Sequence, residues 1–420
     1  MSNLKIRVMK IIQKYLRTAI FILTLLVVYS SSIAQKKVSN YDPVVKELDA
    51  IYKTNSQFKN LINNALNSAV PTPEGWSKAP YGNTDSLYIW PKKTFNDLLD
   101  FFNNWLSFVP NPQNGMQYYE LLYGLCYENP SAIQFVSTEP GLSWTRKFVV
   151  ARGKYMDSKE SINKNVDAMK QWYKSMGTSW YRFKAPNDTT IGFKGYTTFN
   201  EFFTRELRES YKPVDSLSNQ LLAPADGLVN IINSNLNTDS KIHTKYDEYL
   251  NVSQLLDGSQ YANLFDGGTA TATVLLPDDY HHYHSPVSGS VIETKAVDSE
   301  GGVYFGMNGE FFTFSNNGNI GGYKSKYGVF GVYHRGYYII KTDNYGYVAM
   351  IPIGLDDISS VNFEPKFNPS KAKLPVVVKK GEKVGHFAYG GSTVILLFEP
   401  GILNGLKLKQ GRQMGILNAK

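Results

Sequence analysis

The chain has 420 residues, 42% of them hydrophobic and 19% charged, which leaves room for two domains and is too apolar for wholesale disorder. The net charge of +8 is concentrated, because Lys5, Arg7, Lys10, Lys14 and Arg17 fall within residues 1–34 without an acid and the rest carries only +3. That balance gives no electrostatic case for a nucleic-acid partner. The single cysteine, Cys126, excludes an internal disulfide, a thiolate zinc cluster and a CxxC redox pair.

In chain order, the five cations are followed by the apolar run AIFILTLLVV (19–28) and then YSSSIA, with small Ser32 and Ala34 before Gln35. This is the layout of a secretory signal peptide over residues 1–34. The run is shorter than the roughly 20 residues that span a bilayer, so cleavage is the first reading and retention as an anchor the second. Either way the protein is expected to be exported, in the periplasm or at the outer face of the inner membrane.

Residues 38–194 read as a helical domain. DPVVKELDAIYKTNSQFKNLINNAL (42–66) puts Pro43 in a first turn and Val44, Val45, Leu48 and Ile51 on one face, continuing to Phe58, Leu61 and Ile62. In TFNDLLDFFNNWLSFVP, Thr94 and Asp97 have capping-box spacing, and Leu98, Leu99, Phe102, Trp105 and Leu106 form a stripe that predicts a core face. Cys126, in an apolar stretch, is expected to be a buried small hydrophobe. SKESINKNVDAMKQWYKSMG predicts one helix capped by Ser158 and ending near Gly177.

From residue 195 the pattern changes. TFNEFFTREL predicts a short helix, and short apolar runs separated by Gly, Pro, Asn and Asp follow to the C-terminus, among them LLAPADGLVNII, TATVLLP, SPVSGSVIETKAV, EFFTF, YGYVAMIPIG and STVILLFEP. The 14% aromatic content and 34 glycines suit strands and tight turns. The expected fold class is α+β, a helical N-terminal domain followed by a β-rich sandwich or partly closed barrel over 195–420.

Three segments carry reactive side chains. DDYHHYHSPVSG (278–289) holds His281, His282 and His284, half of the six histidines in the chain. In an extended segment His282 and His284 share one face and His281 takes the other. HFAYGGSTVILLFEPG (386–401) sets Gly390 and Gly391 before Ser392, which reads either as a Gly-Gly turn into a buried strand or as a backbone loosened around a reactive serine. LLAPADGLV (221–229) places Asp226 in a turn, as an ordinary turn residue or as an acid that orients a histidine. A nucleophile, a base and an acid are therefore available in Ser392, His284 and Asp226.

Together these segments resemble the phosphatidylserine decarboxylase family. FNEFFTREL (199–207), LLAPADGLV, LPDDYHHYHSPVSGSV (276–291), VAMIPIGLDDISSV (348–361) and VKKGEKVGHFAYGGSTVILLFEPG (378–401) occur in the family's order. The resemblance implies a pyruvoyl enzyme that makes its own cofactor and needs no metal. Carried over, the Ser392 hydroxyl attacks the Gly391 carbonyl, the chain parts between 391 and 392, and a pyruvoyl group remains on the chain that starts at 392. His284 matches the base for that step, Asp226 its orienting acid, and His281 the histidine of decarboxylation. His282 departs from the pattern and is read as a bystander. The implied reaction converts phosphatidylserine to phosphatidylethanolamine and CO2, with peripheral membrane contact and continued association of the two cleaved chains.

Residues 40–190 also resemble, more loosely, the N-terminal extension of a branch that includes fungal tryptophan decarboxylases, through YDPVVKELDAIYKTNSQF and the Gly-Trp of PEGWSKAPYGN. A soluble aromatic amino acid is therefore the alternative substrate. Two readings from other classes remain. HTKYD (243–247) with His282-Tyr283-His284 resembles the ligand spacing of exported zinc peptidases, and a β-sandwich could serve as a non-catalytic binding module.

Overall fold

The computed structural model describes residues 40–71, 90–115, 117–126, 128–184, 195–212, 217, 219–237, 240, 242–243, 249–276, 278–297, 335–354, 361–389 and 392–406. The expected leader at 1–34, PEGWSKAPYGN, EFFTF and Gly391 lie outside the described residues.

The first half is helical. α1 (Pro43–Thr54) and α2 (Ser56–Asn67) occupy the segment expected as one helix. Asn55 divides it: its extended backbone ends α1, and its side chain accepts the Phe58 N–H to start α2. α3 (Phe95–Ser107) begins with the expected Thr94–Asp97 capping box and buries the whole predicted stripe. α4 (Gln117–Cys126), α5 (Pro130–Ser137) and α6 (Gly141–Met156) follow. Cys126 is buried, and desolvation pushes its thiol up to about 12, so it is inert packing.

The helix predicted over SKESINKNVDAMKQWYKSMG is also divided, into α7 (Glu160–Asn163) and α8 (Val166–Met176), with Asn165 between them. Ser158 does not cap it, because its hydroxyl turns back to the Tyr155 carbonyl. The helix ends at Gly177, whose φ of +50° suits glycine. Phe102 meets Trp144 and Phe148 edge to face in the core of this half, and Trp105 packs tilted against Phe148. The buried Arg152 guanidinium donates to the carbonyls of Trp105, Leu106 and Phe108, closing the C-terminal end of α3.

A short α9 (Phe199–Phe203), capped by Thr198, leads into the strands. β1 (Leu228–Ser234), β4 (Thr269–Leu275), β6 (Gly289–Val297), β7 (Arg335–Lys341), β8 (Tyr347–Gly354), β10 (Val376–Val378) and β12 (Ser392–Phe398) form an antiparallel seven-stranded sheet in the order β1-β4-β12-β8-β7-β6-β10. β5 (His282–His284), β11 (Lys383–Phe387) and β9 (Val361–Phe363) form a three-stranded sheet in the order β5-β11-β9. β2 (Ile242–His243) pairs with β3 (Tyr249–Leu250).

The two larger sheets face one another through Tyr283, Tyr338, Phe363 and Phe387, and the Tyr338 hydroxyl donates to the Val384 carbonyl across the gap. The fold is α+β with a sandwich-like pairing of sheets, and the described residues form no closed barrel. One continuous set of buried apolar side chains runs from Tyr41 in the helices to Phe398 in β12. Among the described residues, no helix is long and apolar enough to cross a membrane.

Candidate active site

Ser392 opens β12, opposite Leu275 of β4 on one side and Gly354 of β8 on the other. After Ser392 and Thr393 the run VILLF is continuously apolar because the strand is interior, and all seven residues of the strand are buried. Ser392 is 0% exposed, and its hydroxyl has no hydrogen-bond partner among the described residues. A buried hydroxyl left unpaired costs on the order of 1–3 kcal/mol, so the position calls for an explanation beyond packing.

The histidine segment starts from the same sheet end. One residue beyond Leu275, the Leu276 N–H donates to the Asp279 carboxylate at 2.7 Å and turns the chain towards β5. His281 is fully buried beside Phe203, with ring centroids 3.9 Å apart. Its Nδ1 lies 2.9 Å from the Asp279 carbonyl, which can only accept, so Nδ1 carries the proton and Nε2 is the basic atom of the neutral ring.

His284 is arranged in the same way. Its Nδ1 donates to the Gly381 carbonyl at 2.9 Å, and the Tyr280 hydroxyl donates to Nε2 at 3.3 Å. Burial lowers its pKa below the usual histidine value, with Lys212 and Lys383 acting in the same direction. The ring is therefore neutral, and basic at Nε2, at neutral pH.

His282 has the opposite tautomer. Nε2 donates to the Thr204 carbonyl at 2.8 Å, and the ring stacks on Tyr280 at 4.6 Å. Its cross-strand partner is His386. Burial holds His282 well below its ordinary pKa. The expected alternation is present, with His282 and His284 against Tyr280 and His281 against Phe203.

Asp226 stands in a turn that touches the site through its backbone. The His284 N–H donates to the carbonyl of Pro224, two residues before Asp226. The Asp226 carboxylate itself pairs with Arg182 at 3.1 Å, and both side chains are more than one-third exposed. Among the described residues it makes no bond to His284, whose ring is oriented by Gly381 and Tyr280 instead. Gly227 follows with φ +149°, and a Cβ there would lie 2.3 Å from the Val274 carbonyl, so the PADG turn presses directly on β4.

Three contributors lie outside the triad read from sequence. Arg205 is buried, stacks over Phe183 and donates to the carbonyls of Asp278 and Asp279, the second at 3.0 Å. Burial pulls its pKa down to about 10, which still leaves it charged. It thus fixes the same Asp279 carbonyl that sets the His281 tautomer. Asp279 is raised to about 6 by burial, with Asp278 and Asp226 adding to the effect, so it exchanges its proton near neutrality two residues from His281. Tyr280 supplies the hydroxyl on His284. Arg205 and both of the others stand inside runs already singled out, FFTREL and DDYHH, but nothing in residue type alone distinguishes them.

Residues 244–247 of HTKYD lie outside the described residues, and His282 and His284 hold main-chain carbonyls. Among the described residues, no three His, Cys, Asp or Glu side chains converge as a metal site.

Comparison with known proteins decides the lineage. The sequence profile of the family described as phosphatidylserine decarboxylase matches residues 199–416, a span that includes α9, both larger sheets and Ser392. The chain belongs to the phosphatidylserine decarboxylase family. That family consists of carboxy-lyases. The chain is 29% identical over 247 residues to the phosphatidylserine decarboxylase proenzyme of Fusobacterium nucleatum subsp. nucleatum, covering 59% of this chain and 71% of that protein. It is 31% identical over 204 residues to the proenzyme of Clostridium perfringens, covering 49% of this chain and 62% of that protein. With the phosphatidylserine decarboxylase proenzyme 2 of Komagataella phaffii the identity is 31% over 218 residues, 50% of this chain and 19% of that protein. The chain therefore spans less than two-thirds of the length of the latter two relatives. Helices α1 to α8 precede the matched span.

Proposed function

We propose that this chain is a proenzyme that cleaves itself between Gly391 and Ser392 and then decarboxylates phosphatidylserine to phosphatidylethanolamine. The observation that carries the reading is the buried, unpartnered Ser392 hydroxyl at the head of an interior strand, inside the span that matches the family. An orphaned hydroxyl in a dry site is what a pyruvoyl precursor requires, since the atom is spent on its own backbone and does not stabilise a neighbour.

In this reading the Ser392 oxygen attacks the Gly391 carbonyl, and the amide N–C bond gives way to an ester. Loss of the α-proton then expels residues 1–391 as a carboxylate, and water releases ammonia from the new end. His284 takes the Ser392 proton at Nε2, because Gly381 holds the other ring nitrogen protonated. A pyruvoyl end at residue 392 would supply the carbonyl for the substrate amine and the sink for the electron pair left by CO2. His281, fixed by the Asp279 carbonyl and Phe203, takes up at Nε2 a proton that the substrate ammonium loses and returns it to the carbon that lost CO2. Asp226 acts on this assembly through its turn against β5 and β4.

The deciding experiment is an intact mass spectrum of the purified protein. The expected result is two chains, the smaller running from 392 to 420 with a pyruvoyl end, while Ser392→Ala remains a single chain. A wild-type protein that stays whole, or a Ser392→Ala protein that is cleaved and active, would overturn the reading. CO2 release from phosphatidylserine vesicles and from tryptophan then separates the two substrates. The cations and apolar run of residues 1–28 underlie the proposed export, and a mature N-terminus at Gln35 in the same spectrum supports it.

A further inference from the structure

The segment that leads into Ser392 is fastened to the helical half of the chain at one residue. Tyr389 is 5% exposed. Its hydroxyl donates to the Gly115 carbonyl at 3.1 Å, just before α4. Its backbone N–H donates to Asn200 Oδ1 at 3.2 Å, and Asn200 donates in turn to the Asp157 carboxylate at 2.9 Å, just past α6. The Phe199 N–H, beside Asn200, donates to Ser161 in α7 at 2.8 Å. The Tyr389 ring meets Phe199 and Phe203 edge-on at 5.3 and 5.2 Å, and Phe203 lies against His281.

The sequence gives this anchor its purpose. Only Gly390 and Gly391 separate Tyr389 from Ser392. Two glycines leave the backbone with the widest choice of conformations, whereas attack on a carbonyl needs the reacting atoms held near 3–3.5 Å. Tyr389 is the last residue before the junction with a side chain able to limit that freedom. Gly115, which its hydroxyl reaches directly, and Asp157 and Ser161, which hold its partners Asn200 and Phe199, all precede the span that matches the family.

We propose that Tyr389 is a positioning residue for self-cleavage, through which the helical half restrains the backbone that leads into Ser392. The inference rests on the self-cleavage reading above. It gives helices α1 to α8 a task in maturation, quite apart from any part in substrate choice.

The test follows cleavage of freshly translated full-length chain over time for wild type, Tyr389→Phe and Asn200→Ala. Tyr389→Phe keeps the ring and removes the hydroxyl that donates to Gly115. Its cleavage rate is expected to fall about three- to tenfold, the kinetic equivalent of one neutral hydrogen bond. Turnover counted per pyruvoyl end falls much less, and the unfolding midpoint measured in a Ser392→Ala background moves little. Asn200→Ala slows cleavage by the same route. Cleavage of both variants at the wild-type rate overturns the inference and leaves the proposed function standing. Equal losses in cleavage, turnover and unfolding midpoint overturn it as well, because they mark a merely structural tyrosine. A wild-type chain that never cleaves removes the proposed function itself, and this inference with it.

Discussion

Neighbouring histidines in this chain are made chemically different by what their ring nitrogens touch. His281 and His284 each spend Nδ1–H on a main-chain carbonyl and keep Nε2 basic, whereas His282 spends Nε2–H on Thr204. Burial keeps His284 neutral further into acid than an ordinary histidine. A base must be neutral to act, and a lowered pKa extends the neutral form to lower pH. Self-cleavage is therefore expected to keep more than half of its full rate at about pH 6.5, the ordinary histidine pKa, and to reach its half-maximum only below it. Cleavage half-times measured between pH 5 and 8 check this, and a half-maximal rate above pH 6.5 would contradict it. The separation of the histidines into two faces is legible in the sequence, because alternation along 282–284 needs only an extended backbone. Arg205 is not legible in that way. Its partners are carbonyls 73 and 74 residues further along the chain, and only the packing of α9 against the 278–281 turn brings them together.

Elements explain why the site is held where it is. β11 is the middle strand of the histidine sheet, and Gly385 at its centre leaves the gap through which the Tyr283 hydroxyl reaches the Asn362 carbonyl of β9 at 2.7 Å. A Cβ at Gly385 would come within 2.2 Å of both that hydroxyl and the Asn362 carbonyl. Gly385→Ala should therefore destabilise the fold by about 1–3 kcal/mol, the usual cost of overpacking, and slow self-cleavage, since β5 cannot shift without moving His284. A urea midpoint and a cleavage time course together measure it. Most strands could be found from their apolar runs, and β12 most plainly, because burial on both faces removes the polar alternation. The helix breaks at Asn55 and Asn165 were missed because apolar periodicity continues across them. What ends each helix is a local choice, at Asn55 a side chain that caps the next helix. The pairing of Asp226 with Arg182 was equally out of reach, since it depends on where the end of the helical half lies against the PADG turn.

At the scale of the molecule, helices and sheets share one apolar core, so the helical half is built into the structure that presents Ser392. β12 is hydrogen-bonded along all seven of its residues to β4 and β8. It buries Val394, Ile395, Leu396, Leu397 and Phe398, each worth about 1.5–3 kcal/mol when removed from water. Cutting the chain before residue 392 removes one covalent bond and none of these contacts. The two cleaved chains are thus expected to co-elute on gel filtration in native buffer and to part only in denaturant. Separation in native buffer would show that β12 is held less tightly than its burial implies.

The third strand of seven is also a place from which nothing can be exchanged. A prosthetic group formed at the head of β12 cannot be washed out, replenished from the medium or transferred to a fresh protein. On the proposed chemistry, each molecule is charged once and serves until it is degraded. The number of working sites would then follow the rate at which the polypeptide is made and matures, with no vitamin or metal supply able to raise or lower it.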